Sequence, residues 1–194
     1  MKRDEEREKL KARLLTILKE LSCEKREVTL ASGKQSDFYI DCRQTTLNPE
    51  GAHLVGQVIW DIVSGMELDG VGGPTMGADP IATAVSLASY RDGRPLPAFI
   101  IRKEPKTHGL GVWIEGKKNL KEGARVAIVE DVVTTGGSSI KAARKAEDEG
   151  MKVVAIVAIV DRDEGGAAKI DEAGYPFTAL FKKGDITGEG GGRT

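Results

Sequence analysis

The chain has almost no net charge and no long apolar run, and each of these features excludes a class of protein. Its 29 Lys and Arg are balanced by 30 Asp and Glu, which leaves a formal net charge of −1. A chain with so little net field is a poor candidate for a dedicated nucleic-acid binder or for a protein held on an anionic membrane surface. The longest apolar run is Val153 to Val160, well short of the roughly 20 residues that span a bilayer. The sequence therefore predicts no membrane-spanning helix.

Cysteine is also scarce. Cys23 and Cys42 are the only two, and they form no CxxC or metal-ligand spacing, which suits free thiols in a reducing compartment. The first residues, Met1 to Glu6, lead into mixed charge rather than the apolar stretch of a secretory signal. We therefore expect a cytoplasmic protein whose two cysteines are structural.

No internal repeat or Pro/Ser-rich linker divides the sequence, and 40% hydrophobic residues are enough for one core. We predict one domain with three parts. Residues 1–45 form an N-terminal helix and a hairpin that acts as a hood, and residues 46–183 form the core. Residues 184–194, which are rich in glycine, form a disordered tail.

Strand and helix patterns alternate along most of the chain. Leucine spacing predicts a helix near residues 5–21, and Asn48-Pro49 is typical of a helix start. Further helices are predicted at 79–90, 138–149 and 167–173, and strands at 28–30, 38–42, 69–72, 98–102, 125–129, 152–160 and 177–181. Such alternation predicts an α/β fold with a mostly parallel sheet flanked by helices, and ligands then bind where the strands end.

The segment that follows the strand ending at Val129 combines acidic, hydroxyl and glycine residues. Glu130 and Asp131 can accept hydrogen bonds from vicinal hydroxyls, such as those of a ribose. The stretch Thr134 to Ser138 supplies hydroxyl groups and unobstructed backbone N–H groups at a helix start, which is a ready anion site. A plain glycine turn with a serine cap is the simpler interpretation. The sequence contains neither the Gly-Lys-Ser/Thr of a Walker loop nor a GxGxxG pattern.

Two more loops follow predicted strands. Arg102 to Gly109 carries four potentially cationic side chains and ends in glycines, which suits a lid that closes over a polyanion. A solvated charged loop is the alternative. Gly72 to Pro80 contains glycines ahead of a helix start, so its backbone could approach a ligand closely.

These loops together resemble a known family. Val129-Glu130-Asp131-Val132-Val133-Thr134-Thr135-Gly136-Gly137-Ser138 resembles the phosphoribosyl pyrophosphate (PRPP) signature of type I phosphoribosyltransferases. The pattern Arg-Lys-Glu-x-Lys-x-His-Gly, which begins at Arg102, is similar to the catalytic loop of orotate phosphoribosyltransferases, and the segment Thr29 to Asp41 resembles their hood.

The resemblance implies a type I phosphoribosyltransferase fold and a role for each matched residue. Glu130 and Asp131 are expected to contact the ribose, with Asp131 also catalytic, and Thr134 and Arg162 are expected to contact orotate. Phe38, Tyr39 and Ile40 are candidate covers of the base. The expected PRPP-binding residues are Arg102, Lys103, Lys106, His108, Glu130, Asp131, Val132, Val133, Thr134, Thr135, Gly136, Gly137 and Ser138. Lys103, Lys106 and His108 are also expected to be catalytic.

The implied reaction is the transfer of phosphoribosyl from PRPP to orotate, giving orotidine 5′-monophosphate and pyrophosphate. The resemblance further implies Mg²⁺ bound mainly through PRPP, and a homodimer whose lid residues are shared between subunits. Many family members carry lysines where Ala31 and Gly77 stand here, so two cations are missing. A phosphoribosyltransferase for another base and a non-catalytic PRPP-sensing regulator both stay open as alternatives.

Overall fold

The computed structural model describes residues 2–29, 35–105 and 112–188. Helices and strands alternate through most of this range, as the sequence patterns predict. The helices are α1 (Lys2–Ile17), α2 (Arg43–Thr46), α3 (Pro49–Val63), α4 (Ala78–Arg91), α5 (Gly137–Asp148), α6 (Gly166–Glu172) and α7 (Lys183–Thr187). The strands are β1 (Cys23–Thr29), β2 (Gln35–Ile40), β3 (Gly70–Pro74), β4 (Ala98–Ile101), β5 (Ile114–Glu115), β6 (Arg125–Val133), β7 (Lys152–Asp161) and β8 (Phe177–Lys182).

The main sheet has the strand order β5-β4-β3-β6-β7-β8. All neighbours pair in parallel except β5, which runs antiparallel to β4 at one edge. The predicted α/β fold with a mostly parallel sheet is confirmed. The chain moves from β3 outward to β4 on one side, and from β6 outward to β7 and β8 on the other. The strand order therefore reverses between β3 and β6, which opens a crevice at their carboxyl ends.

Helices bury both faces of the sheet. Val129, Val157 and Ile159 belong to a core cluster that also takes in α1, α3 and α4. Ile128 and Ile156 belong to a second cluster with α5 and α6. Alternate residues of β6 and β7 thus face different cores, which explains why Val153 to Val160 is apolar at every position.

The start of α3 follows the sequence prediction closely. The Asn48 side chain accepts hydrogen bonds from the backbone N–H groups of Glu50 (3.0 Å) and Gly51 (3.2 Å), and Pro49 occupies the first turn. These contacts satisfy N–H groups that have no partner within the helix.

The N-terminal part contains the predicted helix and hairpin, with shifted bounds. Helix α1 ends in a π-helical turn, Leu18–Ser22. Leu14 and Leu18 are fully buried, whereas Leu21 is 42% exposed. Strands β1 and β2 pair antiparallel from Cys23 opposite Ile40, so β1 begins earlier than the predicted 28–30. The sequence from Cys23 to Thr29 shows no clear alternation of apolar and polar residues, and this explains the misplaced bounds.

The boundary predicted for the disordered tail is wrong. Residues 183–187 form α7, and Ile186 is only 6% exposed within the first core cluster. The Asp185 carboxylate accepts a hydrogen bond from the Lys182 backbone N–H at 2.8 Å, which holds the helix start. The many glycines in this segment suggested disorder, although the single apolar residue Ile186 packs in the core. Residues 189–194 lie outside the described residues. Within the described ranges, no helix combines the length and apolar character needed to cross a bilayer.

Candidate active site

A cleft of about 340 Å³ opens at the crevice between β3 and β6. The ends of both strands, the end of β4, the first turn of α5 and the segment after β2 all contribute to its walls. Its lining residues are Tyr39, Ile40, Asp41, Arg43, Pro74, Thr75, Met76, Gly77, Lys103, Glu130, Asp131, Val132 and Ser138. The fold thus brings together residues that are as far apart in sequence as the hood and α5.

The two acidic residues lie inside strand β6 rather than after it. The sequence predicts that this strand ends at Val129, but pairing with β7 continues to Val133 opposite Asp161. Glu130 and Asp131 therefore lie within the paired part of the strand, and their carboxyl groups are close enough to interact. Glu130 is 6% exposed and Asp131 is half-buried, and both line the cleft.

The Glu130 carboxyl group is held in an environment that favours its neutral form. Burial, with a smaller contribution from the neighbouring Asp131 carboxylate, raises the pKa of Glu130 to about 8. The Ser139 hydroxyl donates a hydrogen bond to Glu130 Oε2 at 3.3 Å and partly offsets that rise. At neutral pH, Glu130 can therefore act as a hydrogen-bond donor as well as an acceptor.

Asp131 is held between its own strand and the β3–α4 loop. The Val132 backbone N–H donates to Asp131 Oδ1 at 2.8 Å. A Cβ placed on Gly77 would lie 2.6 Å from the Asp131 carboxylate. The absence of a side chain at position 77 is therefore what lets this carboxylate occupy its position beside the loop.

The β3–α4 loop is anchored at Thr75. Its backbone N–H donates to the Ile101 carbonyl at 2.9 Å, and its hydroxyl donates to Asp79 Oδ2 at 2.7 Å. The peptide bond between Thr75 and Met76 is cis. This loop forms the wall of the cleft that faces β6.

The loop that joins β6 to α5 spans Thr134 to Gly136 and is short. Gly136 has a φ of 76°, a left-handed conformation that glycine adopts without strain, and α5 starts at the next residue. The first N–H groups of α5 point out of the helix end as unpaired donors, which makes an anion site. Ser138 and Val132 line the cleft, whereas Thr134, Thr135, Gly136 and Gly137 lie beyond its lining.

Val133 cannot contact a ligand through its side chain. It is 1% exposed in the second core cluster, and its carbonyl accepts the Arg162 backbone N–H at 2.9 Å. The prediction that Val133 binds PRPP therefore stays a prediction, and such a contact would have to use the backbone rather than the buried side chain.

The predicted lid residues divide into three groups. Lys103 is exposed and lines the cleft. Arg102 does not line it, because its guanidinium pairs with Glu115 of β5 at 3.1 Å and its backbone N–H donates to the Trp113 carbonyl. Lys106 and His108 lie outside the described residues.

The hood contributes residues that the sequence reasoning missed. Tyr39 and Ile40 line the cleft as predicted candidates, and the Phe38 side chain lies outside the described side chains. Asp41 and Arg43 also line the cleft, joined by two hydrogen bonds of 2.8 and 3.0 Å. The Arg43 guanidinium holds the pKa of Asp41 below its usual range. The sequence signal that could have identified Asp41 and Arg43 is an acidic and a basic residue placed two positions apart at the end of a predicted strand.

Arg162 lies beside the loop after β6 but does not line the cleft. It directly follows β7, is 6% exposed, and donates from Nε to Glu164 Oε1 at 3.0 Å. The structure therefore places its backbone against Val133, next to Thr134, with its side chain buried.

Neither thiol is a good nucleophile. Cys42 is fully buried, and burial raises its pKa well above the ordinary value. Burial also raises the pKa of Cys23 to about 11. Within the described part of the chain, no group of three or more His, Cys, Asp or Glu side chains is arranged to hold a metal ion.

Comparison with known proteins places these observations in a family. Residues 45–174 match the phosphoribosyl transferase domain. A relative from Sorangium cellulosum, named orotate phosphoribosyltransferase, is 46% identical over 175 residues, which are 90% of this chain and 91% of the relative. A crystal structure of the Mycobacterium tuberculosis orotate phosphoribosyltransferase with Fe(III) dicitrate has a TM-score of 0.81 and 37% identity, covering 91% of this chain and 98% of that one. A complex of the same enzyme with PRPP has a TM-score of 0.77 at 34% identity, covering 92% and 99%.

Proposed function

This chain belongs to the phosphoribosyltransferase family, and from that membership we infer that it is an orotate phosphoribosyltransferase. It transfers phosphoribosyl from PRPP to orotate and releases pyrophosphate, a step of pyrimidine nucleotide synthesis. One structural observation carries the assignment: Glu130, Asp131, the start of α5 and Lys103 meet in a single cleft at the topological switch point. That cleft combines acceptors for ribose hydroxyls with donors for phosphate.

The ribose phosphate is proposed to bind across β6 and the start of α5. The Asp131 and Glu130 carboxyl groups face the ribose hydroxyls. The segment Thr134 to Ser138 takes the 5′-phosphate on backbone N–H groups and hydroxyls, where the positive end of the helix dipole favours negative charge. Gly137 and Ser138 at the start of α5 are exposed, which keeps these two residues accessible to solvent and ligand.

The diphosphate is proposed to lie between the β3–α4 loop and Lys103. Both line the cleft, so an anion bound there can contact the backbone of the loop and the cation of Lys103. Arg102, Lys106 and His108 complete this role in the proposal. Arg102 must first leave Glu115, an ion pair whose partners are about 40% exposed and which is therefore weak.

Mg²⁺ is proposed to reach the cleft on the diphosphate. Magnesium ions in proteins usually combine one or two carboxylates with substrate phosphates and water. The Asp131 carboxylate is an oxygen donor of the required type in the same cleft as Lys103. When bound, the ion neutralises charge on the diphosphate.

The orotate is proposed to lie under the hood segment. Tyr39 and Ile40 cover that side of the cleft. Arg162 and Thr134 recognise orotate from the end of β7 and the loop after β6, with the guanidinium matched to the orotate carboxylate.

In the reaction, N1 of orotate gives up its proton to solvent and forms a bond to C1′, while the bond from C1′ to the diphosphate oxygen breaks and its electron pair leaves with pyrophosphate. Negative charge therefore grows where Lys103 lies, and positive charge grows on the ribose near Asp131. Fixed charges placed where charge develops supply the largest share of many rate enhancements. His108 donates a hydrogen bond or a proton to the leaving group in this proposal.

The functional unit is proposed to be a cytoplasmic homodimer that shares its lid residues between subunits. A groove of about 600 Å³ between α3 and α4 supports an interface there. It is lined mostly by apolar groups, including Leu47 at 73% and Leu87 at 57% exposure. Exposed apolar surface of this kind marks association sites.

A panel of bases tests the reaction. Purified protein is incubated with Mg²⁺ and PRPP, and orotate, uracil, adenine and hypoxanthine are offered separately while nucleotide formation is followed. We expect product from orotate only. Product from another base instead would support a different phosphoribosyltransferase. RNA binding with steep salt dependence and no pyrophosphate from any base would support a PRPP-sensing regulator.

A further inference from the structure

A second pocket adjoins the cleft, and several of its lining residues, Ile101, Trp113, Lys141, Ala142 and Lys145, have no part in the proposed reaction. This basic pocket has a volume of about 500 Å³ and lies between the end of β4, Trp113 and the outer face of α5. Its lining residues are Pro74, Ile101, Arg102, Lys103, Trp113, Ser138, Lys141, Ala142 and Lys145. Pro74, Lys103 and Ser138 line the cleft as well, so the two spaces are contiguous.

Cationic residues dominate the lining of the basic pocket. Among the described residues that line it, four are cationic and none is acidic. Lys141 and Lys145 lie one helical turn apart, an arrangement in which like charges repel. Lys145 is 3.9 Å from Asp148, and within the described ranges Lys141 and Lys103 form no ion pair. An anion in the basic pocket would relieve this repulsion.

The same pocket also offers an apolar surface. Ile101, Pro74, Ala142 and Trp113 form it, and Lys145 Nζ lies 4.0 Å from the Trp113 ring centroid. Small-molecule sites typically measure about 300–1,000 Å³ and combine apolar walls with a few polar groups. The basic pocket falls within that range and is too large for a lone phosphate ion.

We propose that the basic pocket binds a phosphorylated organic molecule of nucleotide size, and that its occupation inhibits the enzyme. Lys141 and Lys145 hold the phosphate, while Trp113 and Ile101 contact the organic part. Because Lys103 lines both spaces, an anion in the basic pocket draws its ammonium group away from the diphosphate. The claim that occupation of the basic pocket inhibits the enzyme rests on the proposed function. The claim that the pocket binds such a molecule does not.

Calorimetric titration of the whole protein, saturated with PRPP and Mg²⁺, tests binding. The probes are uridine 5′-monophosphate, inorganic phosphate and uridine. We expect saturable binding of the nucleotide, weaker binding of phosphate and none of uridine. Uridine binding as tight as the nucleotide, or phosphate binding as tight, overturns the proposal. Because the two sites are distinct, a further tenfold excess of PRPP leaves the dissociation constant unchanged, whereas a proportional rise would place the nucleotide in the cleft and overturn it.

Variants identify the site. Replacing both lysines, Lys141→Ala with Lys145→Ala, removes two charged contacts and should weaken nucleotide binding by about 10-fold or more. Lys152→Ala, at an exposed lysine on the opposite end of the sheet, is the matched control and should bind as the wild type does. Equal binding by the double variant overturns the proposal.

Turnover of orotate and PRPP supplies the second readout. The nucleotide should lower kcat of the wild type and of Lys152→Ala at saturating substrates, and the double variant should resist it. Binding without any change in turnover overturns the inhibitory half. Turnover measured without the nucleotide separates the proposed function from the proposed inhibition. If the protein alone does not turn over orotate and PRPP, the proposed function is wrong, while the binding result stands.

Discussion

Lys103 is an exposed side chain shortly after β4, and it lines the cleft together with the β3–α4 loop. An exposed lysine with no ion pair among the described residues contributes little to folding. The same position lets its charge act on a leaving diphosphate. Function and stability therefore separate at this residue.

Replacing this lysine should reduce the rate and leave the fold intact. Lys103→Ala is expected to lower kcat by roughly 100-fold or more, and to change the free energy of unfolding by less than about 0.5 kcal/mol. Steady-state kinetics and urea denaturation measure the two quantities. Lys118→Ala, at an exposed lysine outside the cleft, is the control. Equal losses of rate and stability would remove Lys103 from the lid.

Gly77 is the residue on which the position of Asp131 depends. Gly77→Ala adds a methyl group 2.6 Å from the Asp131 carboxylate, and the side chain, being the flexible partner, should turn away. We expect the KM for PRPP to rise about 10-fold with a smaller change in stability. Gly65→Ala adds a methyl group that meets nothing within 4 Å and serves as the control. An unchanged KM would mean that Asp131 does not hold the ribose where proposed.

Glu130 should make stability depend on pH. Its pKa is about 4.5 when unfolded and about 8 when folded, so the folded state binds the extra proton between these values. Stability from this group is full below pH 4.5 and is lost as the pH rises toward 8, by an amount on the order of 3 kcal/mol. The Gln side chain of Glu130→Gln does not titrate, so this variant should show a smaller dependence of the free energy of unfolding on pH.

Urea denaturation at pH 5 and pH 8 measures this difference. The wild type should lose more stability than Glu130→Gln over that interval. Ser139→Ala removes the hydroxyl that donates to Glu130 and should leave the slope present. Parallel losses in the wild type and Glu130→Gln would show that Glu130 is already ionised in the folded protein.

At the scale of elements, α1 is held by a narrow apolar stripe and one ion pair. Leu14, Ile17 and Leu18 are buried, and Arg13 pairs with Glu50 of α3 at 2.7 Å. That pair is about half exposed at both ends, so it adds little. Burial of the leucines therefore holds the helix against α3.

Truncating this stripe should cost much of the stability. Leu14→Ala leaves a cavity at a fully buried position and is expected to lower the free energy of unfolding by about 2–5 kcal/mol. Leu21→Ala, on a leucine that is 42% exposed, should cost far less. Denaturant unfolding compares the two variants. Equal effects would mean that α1 docks by another face.

Strand β6 shows why element bounds were harder to predict than element types. Its run of apolar residues ends at Val129, yet its pairing with β7 continues through Glu130 to Val133. Polar side chains in a strand end the hydrophobic pattern but not the backbone ladder. The sequence therefore predicted that the acidic pair lies at the site, but it assigned the pair to a loop rather than to the strand.

At the scale of the molecule, the groove between α3 and α4 makes a specific prediction about assembly. We expect the protein to sediment with twice the mass of one chain. Leu87→Asp places a charge on the apolar groove and should yield monomers. Leu21→Asp, at an exposed leucine outside the groove, should remain dimeric. A dimeric Leu87→Asp variant would exclude this groove as the interface.

The sequence by itself determined the alternation of strands and helices and the mostly parallel sheet. It also determined that the segment after Val129 is a candidate binding site. These follow from local periodicity and from residue types that lie within one loop. Tertiary structure alone decided that Asp41 and Arg43 join the cleft, that Arg102 turns to Glu115, and that Ile186 anchors a last helix. Each of these depends on contacts between parts of the chain that are separated in sequence. The spacing of residues along the chain does not reveal the strand order that creates those contacts.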